Sequence, residues 1–272
     1  MKFVIFGGTP GSGKTSVIKH VIEELKDLKI YYIKFDVLKT MDDVLIREKF
    51  GITTEKGISG DICPDHYSVM LFPNIIKKQK DKDLVIAETA GLCLRCAPYV
   101  NEGLGIAVLN IASGKPSSYG PLLTHADAVA ITKGDMVSQA EREIFRIGVL
   151  KMNEKATIIE TNGLTGEGAL EVAEIIRNMP ETKGKLTLRW PMPTALCGYC
   201  YGCKIVDPIE ANKRYLLAKK IKEKIPNINC GKCGFKCCND FIRAVLDGEA
   251  EESRCPYLRK KEFKLANRAK EP

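Results

Sequence analysis

Over roughly the first 180 positions, short apolar runs alternate with segments whose apolar residues recur every three or four positions, the pattern of a layered α/β domain. Residues 2–6 (KFVIF) read as a buried strand. Across 16–28, Val17, Ile18, Val21, Ile22 and Leu25 share one helical face, and the β-rich run 29–35 (KIYYIKF) follows. Residues 42–60 read as a helix and then a glycine-containing loop. Further strands are expected at 83–87, 105–112, 126–131 and 156–160, with helices at 138–152 and from the loop 161–168 to Met179. The expected fold is a three-layer, mostly parallel sheet domain over 1–185. Residues 180–193 hold three prolines and no helical period, so the boundary is placed there, leaving 186–272 as a small cysteine-rich domain.

The first strand runs straight into Gly8-Thr9-Pro10-Gly11-Ser12-Gly13-Lys14-Thr15-Ser16, a Gly-x4-Gly-Lys-Thr loop that opens a helix. This is a P-loop, whose backbone N–H groups wrap phosphates and whose glycines allow close approach and positive φ. Lys14 is expected on the outer phosphates and Thr15 on magnesium, with the helix dipole aimed at the anion. Asp36 ends the second strand, where doubly wound sheets place their ligands. It suits magnesium or an attacking water, and the plainer alternative is a helix or turn cap. Glu88 closes the 83–87 strand within reach of the magnesium shell, and Gly91 is free to offer its N–H to a γ-phosphate. Thr132-Lys133-Gly134-Asp135 ends another strand. The Asp135 carboxylate would accept from N1 and N2 of guanine, so losing that pairing costs about 1–3 kcal/mol and GTP is expected over ATP by roughly ten- to a hundredfold.

The chain of 272 residues is long enough for one α/β core and an appendage. No apolar run approaches the roughly twenty residues of a membrane span, and the phosphate loop follows Lys2 too closely for a cleavable leader. A cytoplasmic address is therefore expected. Eleven cysteines grouped largely in short C-x2-C units argue for metal or clusters over a disulfide framework. The net charge of +8 sits partly in the tail, where Arg259, Lys260, Lys261, Lys264, Arg268 and Lys270 outnumber Glu262 and Glu271. A solvated helix end explains it; without an aromatic platform or helix-turn-helix pattern, nucleic acid is disfavoured.

Cys63-Pro64-Asp65-His66 sets a thiolate and an imidazole three positions apart, suited to nickel, cobalt or zinc, with Asp65 as an extra oxygen ligand. Two ligands leave an open site, best completed by a second copy at a two-fold interface; the alternative is a buried cysteine with a histidine in a helix's first turn. Cys93 and Cys96 follow the Glu88–Gly91 element closely, so metal held there would be gated by nucleotide, and two structural thiols are the alternative. Cys230-x2-Cys233-x4-Cys238 with Cys255-Pro256 supplies four thiolates suited to a cubane, whereas zinc usually wants a second C-x2-C hook. Cys237 is left over. Cys197-x2-Cys200-x2-Cys203-x3-Asp207-Pro208 reproduces a ferredoxin run with Asp in the fourth place. A second cluster there would lack a corner, use Asp207, or recruit Cys93 or Cys96, and recruitment is the favoured option. Between these groups, 209–225 reads as an amphipathic spacer helix with a lysine-rich wet side.

Taken together, these motifs resemble the GTPases of metallocentre assembly, the family of the hydrogenase and urease nickel-insertion proteins and the cobalamin-synthesis-type G proteins. The resemblance rests on the P-loop, Asp36 in KFDVLKTMDD, Cys63–His66, Glu88–Gly91, TKGD and the TNGLTGEG loop that contains Asn162. It implies GTP, magnesium, nucleotide-driven homodimerisation, a metal held by Cys63 and His66 between protomers, and delivery to a target metalloenzyme. Asp65 inserted before His66 and Thr132 in place of the usual Asn depart from the family pattern. The C-terminal segment resembles the small four-iron four-sulfur domain of the corrinoid iron–sulfur protein, so one or two such clusters are expected. Two functions follow: a GTP-dependent maturation factor, or a nucleotide-driven iron–sulfur electron donor to a low-potential metalloenzyme or corrinoid protein.

Overall fold

The computed structural model describes residues 1–60, 62–92, 94–192 and 207–258. Its strands are β1 (Lys2–Gly7), β2 (Ile30–Asp36), β3 (Thr53–Ile58), β4 (Leu84–Glu88), β5 (Leu104–Asn110), β6 (Ala128–Thr132) and β7 (Thr157–Thr161). They form one parallel sheet in the order β3-β2-β4-β1-β5-β6-β7. The helices are α1 (Lys14–Glu24), α2 (Asp42–Phe50), α3 (Pro64–Lys78), the single turn α4 (Pro121–Thr124), α5 (Gln139–Met152), α6 (Ala169–Asn178), α7 (Pro208–Lys224) and α8 (Cys238–Leu246). Among the described residues, no helix is long and apolar enough to cross a membrane.

Parallel strands need crossovers that cover both sheet faces, and the alternation of side chains along each strand supplies two cores. Phe3 and Ile5 of β1 and Tyr31, Ile33 and Phe35 of β2 pack beneath Phe72 of α3 and Phe145 and Val149 of α5. Val4 and Phe6, with Ile30 and Tyr32, face the opposite way onto Val17, Ile18 and Val21 of α1, Ile46 of α2 and Val172 and Ile176 of α6. Capping follows local chemistry: Ser138 and Glu141 form a capping box at α5, and Pro64 fills the first turn of α3.

Three features depart from the sequence pattern. Residues 53–58, expected within a loop, form β3. This strand is polar (TTEKGI) because it is a sheet edge paired only with β2, and Gly57 lies against the Phe35 ring, where a Cβ would come within 2.6 Å of it. Helix α3, expected only in the alternative that set His66 in a helix's first turn, carries Pro73 inside it, and burial on both sides erases a one-faced period. The stretch 186–192, assigned to the second domain, belongs to the first core. Leu186 and Met192 are buried there, Leu188 bridges Val100, and Arg189 clamps the carbonyls of Val100, Gly103 and His125 while pairing with Asp127 at 2.8 Å.

A third apolar cluster joins the two halves. Ala211, Ala218, Ile221 and Ile225 from α7 and its end meet Phe241 and Ile242 of α8, Cys255, and Ile62 and Met70 at α3. Asn212, buried in α7, donates to the Met70 carbonyl at 2.5 Å. The helix that begins at Cys63 therefore lies between the sheet and the cysteine-bearing module.

Candidate functional site

The site gathers at the carboxyl ends of β1, β2, β4 and β6, beside the central strand where the sheet order reverses. A cleft of about 540 Å³ is lined there by Gly11, Gly13, Lys14, Thr15, Ser16, Lys34, Asp36, Asp42, Glu88 and Lys133, among others. Gly13 caps α1 with φ 92°, a left-handed conformation that glycine adopts without strain. Lys14 Nζ donates to the carbonyls of Gly8 at 2.9 Å and Thr9 at 3.0 Å. Burial pulls its pKa down to about 8, against the opposing pull of Glu88 and with the help of the like charge on Lys34. Gly91 rests directly on the phosphate loop at φ +72°, where a Cβ would stand 1.5 Å from the Gly8 carbonyl oxygen.

A cluster of hard oxygen donors sits below the loop. Thr15 Oγ1 donates to Glu88 Oε1 at 2.8 Å and approaches Asp42 Oδ2 at 3.2 Å. The Tyr32 hydroxyl donates to Glu88 Oε2 at 2.7 Å. Lys34 Nζ lies between the carboxylates, bonded to Glu88 Oε1 and 3.2 Å from Asp42 Oδ2. Burial alone would lower the Lys34 pKa, but Glu88 and then Asp42 outweigh it and hold the ammonium above the ordinary lysine value. Asp36 also lines the cleft, with Oδ1 accepting from the Val37 amide at 2.7 Å, so it combines the turn-capping geometry with a position facing the cleft. Thr15, Glu88 and Asp42 gather oxygen donors of the kind magnesium takes, with Asp36 lining the same cleft. Asp42, Lys34 and Tyr32 were not singled out from the sequence. The available signal was a lysine and a tyrosine in an apolar strand, on the same period-two face as Asp36.

Towards β6, the Thr132 hydroxyl donates to the Ser12 carbonyl at 2.7 Å and contacts that of Leu109 at 3.2 Å, so a threonine ties this loop to the phosphate loop. Lys133 adopts a left-handed backbone, φ 62°, at the turn that carries Asp135. A cavity of about 120 Å³ beyond it is lined by Asp135, Arg142, Glu160, Asn162 and Glu167, among others. Asn162 Oδ1 accepts from the amides of Leu164 and Thr165, and Gly163 abuts Ser16, so the 161–168 loop is shaped around the start of α1.

Cys63 is the N-cap of α3, and Asp65 and His66 occupy its first turn, both buried. His66 is 1% exposed, and neither ring nitrogen has a hydrogen-bond partner among the described residues. Burial alone lowers its pKa, keeping the imidazole neutral and able to bind metal. The carboxylate of Asp65 is near enough to the phosphate loop to act on Lys14. Cys96 is 1% exposed within the first apolar core, a packing position that does not suit recruitment to a second cluster. Asp207 is the N-cap of α7. Its Oδ1 accepts from the amides of Ile209 and Glu210 and its Oδ2 faces Lys185 Nζ at 3.3 Å, so the carboxylate is engaged in capping and not offered to a cluster. Cys93, Cys197, Cys200, Cys203 and the basic tail lie outside the described residues.

In the C-terminal module, Cys230, Cys233, Cys237, Cys238 and Cys255 line one cavity with Phe235, Phe241 and Tyr257. All five are free thiols, graded from exposed Cys230 to buried Cys255. Cys237, left unassigned by spacing, caps α8, its sulfur accepting from the Asp240 amide at 3.4 Å. The Cys238 amide donates to Asn229 Oδ1 at 2.8 Å, and Gly231 and Gly234 take positive φ to fold the turn. Among the described residues, no three Cys, His, Asp or Glu side chains converge closely enough for a single ion. The five thiols surround a cavity, an arrangement that fits an iron–sulfur cluster.

Comparison with known proteins agrees with this geometry. An uncharacterized protein of Methanocaldococcus jannaschii, MJ0120, is 47% identical over 209 residues, covering 74% of this chain and 89% of its own. Urease accessory protein UreG 2 of Methylorubrum extorquens is 29% identical, over 64% of this chain and 89% of its own. The crystal structure of hydrogenase maturation factor HypB from Archaeoglobus fulgidus superposes with a TM-score of 0.53 at 25% identity, covering 65% of this chain and 89% of that one. A family model described as "Putative Fe-S cluster" matches residues 225–257. The model described as "CobW/HypB/UreG, nucleotide-binding domain" matches residues 2–160, and with the phosphate loop, the oxygen cluster and the parallel sheet it establishes that the chain belongs to the CobW/HypB/UreG family of P-loop GTPase domains.

Proposed function

We propose that the protein hydrolyses GTP to drive maturation of a target metalloenzyme, carrying a metal ion at Cys63 and His66. The observation that carries this reading is His66: a neutral, buried imidazole with no hydrogen-bond partner among the described residues, one turn from a thiol, at the head of a helix beside the nucleotide cleft. An unpaired buried polar ring is costly unless a ligand completes it. The thiolate–imidazole pair suits nickel, cobalt or zinc as cargo.

In this reading Lys14 exchanges the Gly8 and Thr9 carbonyls for the outer phosphates, and Gly91 presents its amide to the γ-phosphate. Thr15 and Glu88 would hold magnesium, and Asp36 and Asp42, which line the same cleft, would orient the attacking water. Magnesium, when bound, neutralises charge building between the β- and γ-phosphate oxygens. Asp135 selects guanine, with Thr132, Lys133 and Asn162 forming the base loop. The exposed apolar side chains of Leu92, which lines the cleft, and of Leu38 and Met41, between the cleft residues Asp36 and Asp42, support closure of two copies over bound nucleotide.

A second reading, a nucleotide-driven electron donor, is favoured by α3, whose Met70 packs into the cysteine module together with Ile62 just before the helix, while Asp65 in its first turn acts on Lys14 of the cleft. The two readings part in one experiment on anaerobically purified protein. Nickel or cobalt binding abolished in Cys63→Ala and His66→Ala, with GTP turnover retained, supports delivery. Metal binding unchanged in both variants, together with a nucleotide-dependent cluster potential, would replace it with electron transfer.

A further inference from the structure

We infer that Lys34 is a tethered cation that closes the divalent-metal position of the nucleotide cleft until phosphates arrive. The inference rests on the phosphate-loop reading above and concerns a residue that carried no assigned role in the sequence. Glu88 and Asp42 converge on Lys34 Nζ, while Thr15 Oγ1 donates to the same Glu88 oxygen. Tyr32 holds the other Glu88 oxygen. These are the oxygens a magnesium or manganese ion would take, and here an ammonium group gathers them.

Burial makes the arrangement exclusive. Glu88 is 1% exposed and must be paired, and the Lys34 side chain is 9% exposed. A divalent ion entering the cleft without nucleotide would evict Lys34 into a low-dielectric space beside Lys14, whose ammonium is hydrogen-bonded to two carbonyls. Two buried ammonium groups and a divalent ion would then have to share the few carboxylates that line the cleft. A nucleotide changes the balance, because its phosphates enter the same cleft, which both lysines line, and supply partners for both. Divalent metal and phosphate should therefore bind as a unit. In a chain that also presents thiolate and imidazole ligands, such a lock keeps the hard-oxygen site from taking transition ions while empty.

The test uses manganese, monitored by the paramagnetic resonance signal of the free ion, with the full-length protein. Wild type should bind manganese at least tenfold more tightly with GDP than without. Lys34→Met should bind it without nucleotide at least tenfold more tightly than wild type, and its denaturation midpoint should rise with manganese where that of wild type does not. Lys34→Gln, which keeps an amide donor but no charge, should behave the same way and serves if the methionine variant fails to fold. Intact GDP binding with equal nucleotide-free manganese affinity in wild type and variants would overturn the lock alone. Loss of GDP binding in wild type would overturn the phosphate-loop reading with it.

Discussion

Gly91 and Gly11 share the same backbone angle, φ +72°, but differ in what surrounds them, which makes Gly91→Ala and Gly11→Ala a matched pair. Each alanine bears the left-handed backbone penalty of about 1 kcal/mol. At Gly11 a Cβ meets nothing within 4 Å, so that penalty is the whole expected cost. At Gly91 the Cβ stands 1.5 Å from the Gly8 carbonyl oxygen and 2.6 Å from its carbon. Contacts under 3.0 Å do not occur for real Cβ atoms, and both partners here are backbone, so no side-chain rotation relieves the clash. The loop carrying Gly91 and the phosphate loop must separate, adding at least about 2 kcal/mol to the cost. Urea denaturation of the nucleotide-free proteins measures the difference directly, and GDP affinity of Gly91→Ala should fall as the loops part. Equal destabilisation of the two variants, within about 0.5 kcal/mol, would refute the direct contact between Gly91 and the phosphate loop.

The other predictions address charge, base choice and capping. Because Lys14 titrates near pH 8 in the empty protein and phosphate restores its charge, nucleotide binding should take up about 0.75 proton at pH 8.5 and about 0.1 at pH 7, read by calorimetry in buffers of different ionisation enthalpy. The same depressed pKa means that the folded state sheds this proton before the unfolded chain does, so Lys14's contribution to stability rises with pH between about 8 and 10.4. Asp135→Ala should weaken GDP binding by roughly ten- to a hundredfold and leave ADP unchanged, and equal losses for both would remove Asp135 from base recognition. Asp207→Ala should cost about 0.5–2 kcal/mol in unfolding of the C-terminal module, with cluster absorbance per folded molecule unchanged. Although burial favours the neutral acid, the Glu210 amide, Lys185 and the Ile209 amide outweigh it and lower the Asp207 pKa. Its stabilisation is therefore present above the carboxylate range and lost as pH falls through it, a loss that Asp207→Ala should lack.

The features legible in the sequence are those written in neighbouring residues. The strand–loop–helix of 2–24, the apolar run before Glu88 and the cap–helix pattern after Ser138 each state their own structure. What stayed hidden depends on distant partners. Lys34 reads as an ordinary strand residue until Glu88, 54 positions later, is brought beside it. Asp42 reads as a first-turn helix acid until Thr15 turns toward it. The strand β3 is polar because it is an edge, and α3 loses its period because it is covered by the sheet on one side and α7 on the other. The prolines of 180–193 signalled an irregular segment correctly, but irregular backbone need not mark a boundary when Leu186, Arg189 and Met192 anchor it to the first core. The spacing of Asp207 suggested a cluster corner, yet one residue before Pro208 it was equally placed to start a helix, and the backbone amides claimed it.

The central claim is that the phosphate state of the cleft governs metal held at the head of α3. The most direct measurement is the nickel affinity of the full-length protein, by competition with a chromogenic chelator, in GDP and in a non-hydrolysable GTP analogue. The account predicts at least a tenfold difference between the two nucleotide states, absent in His66→Ala. The same nickel affinity in both states, with both nucleotides bound, would contradict it.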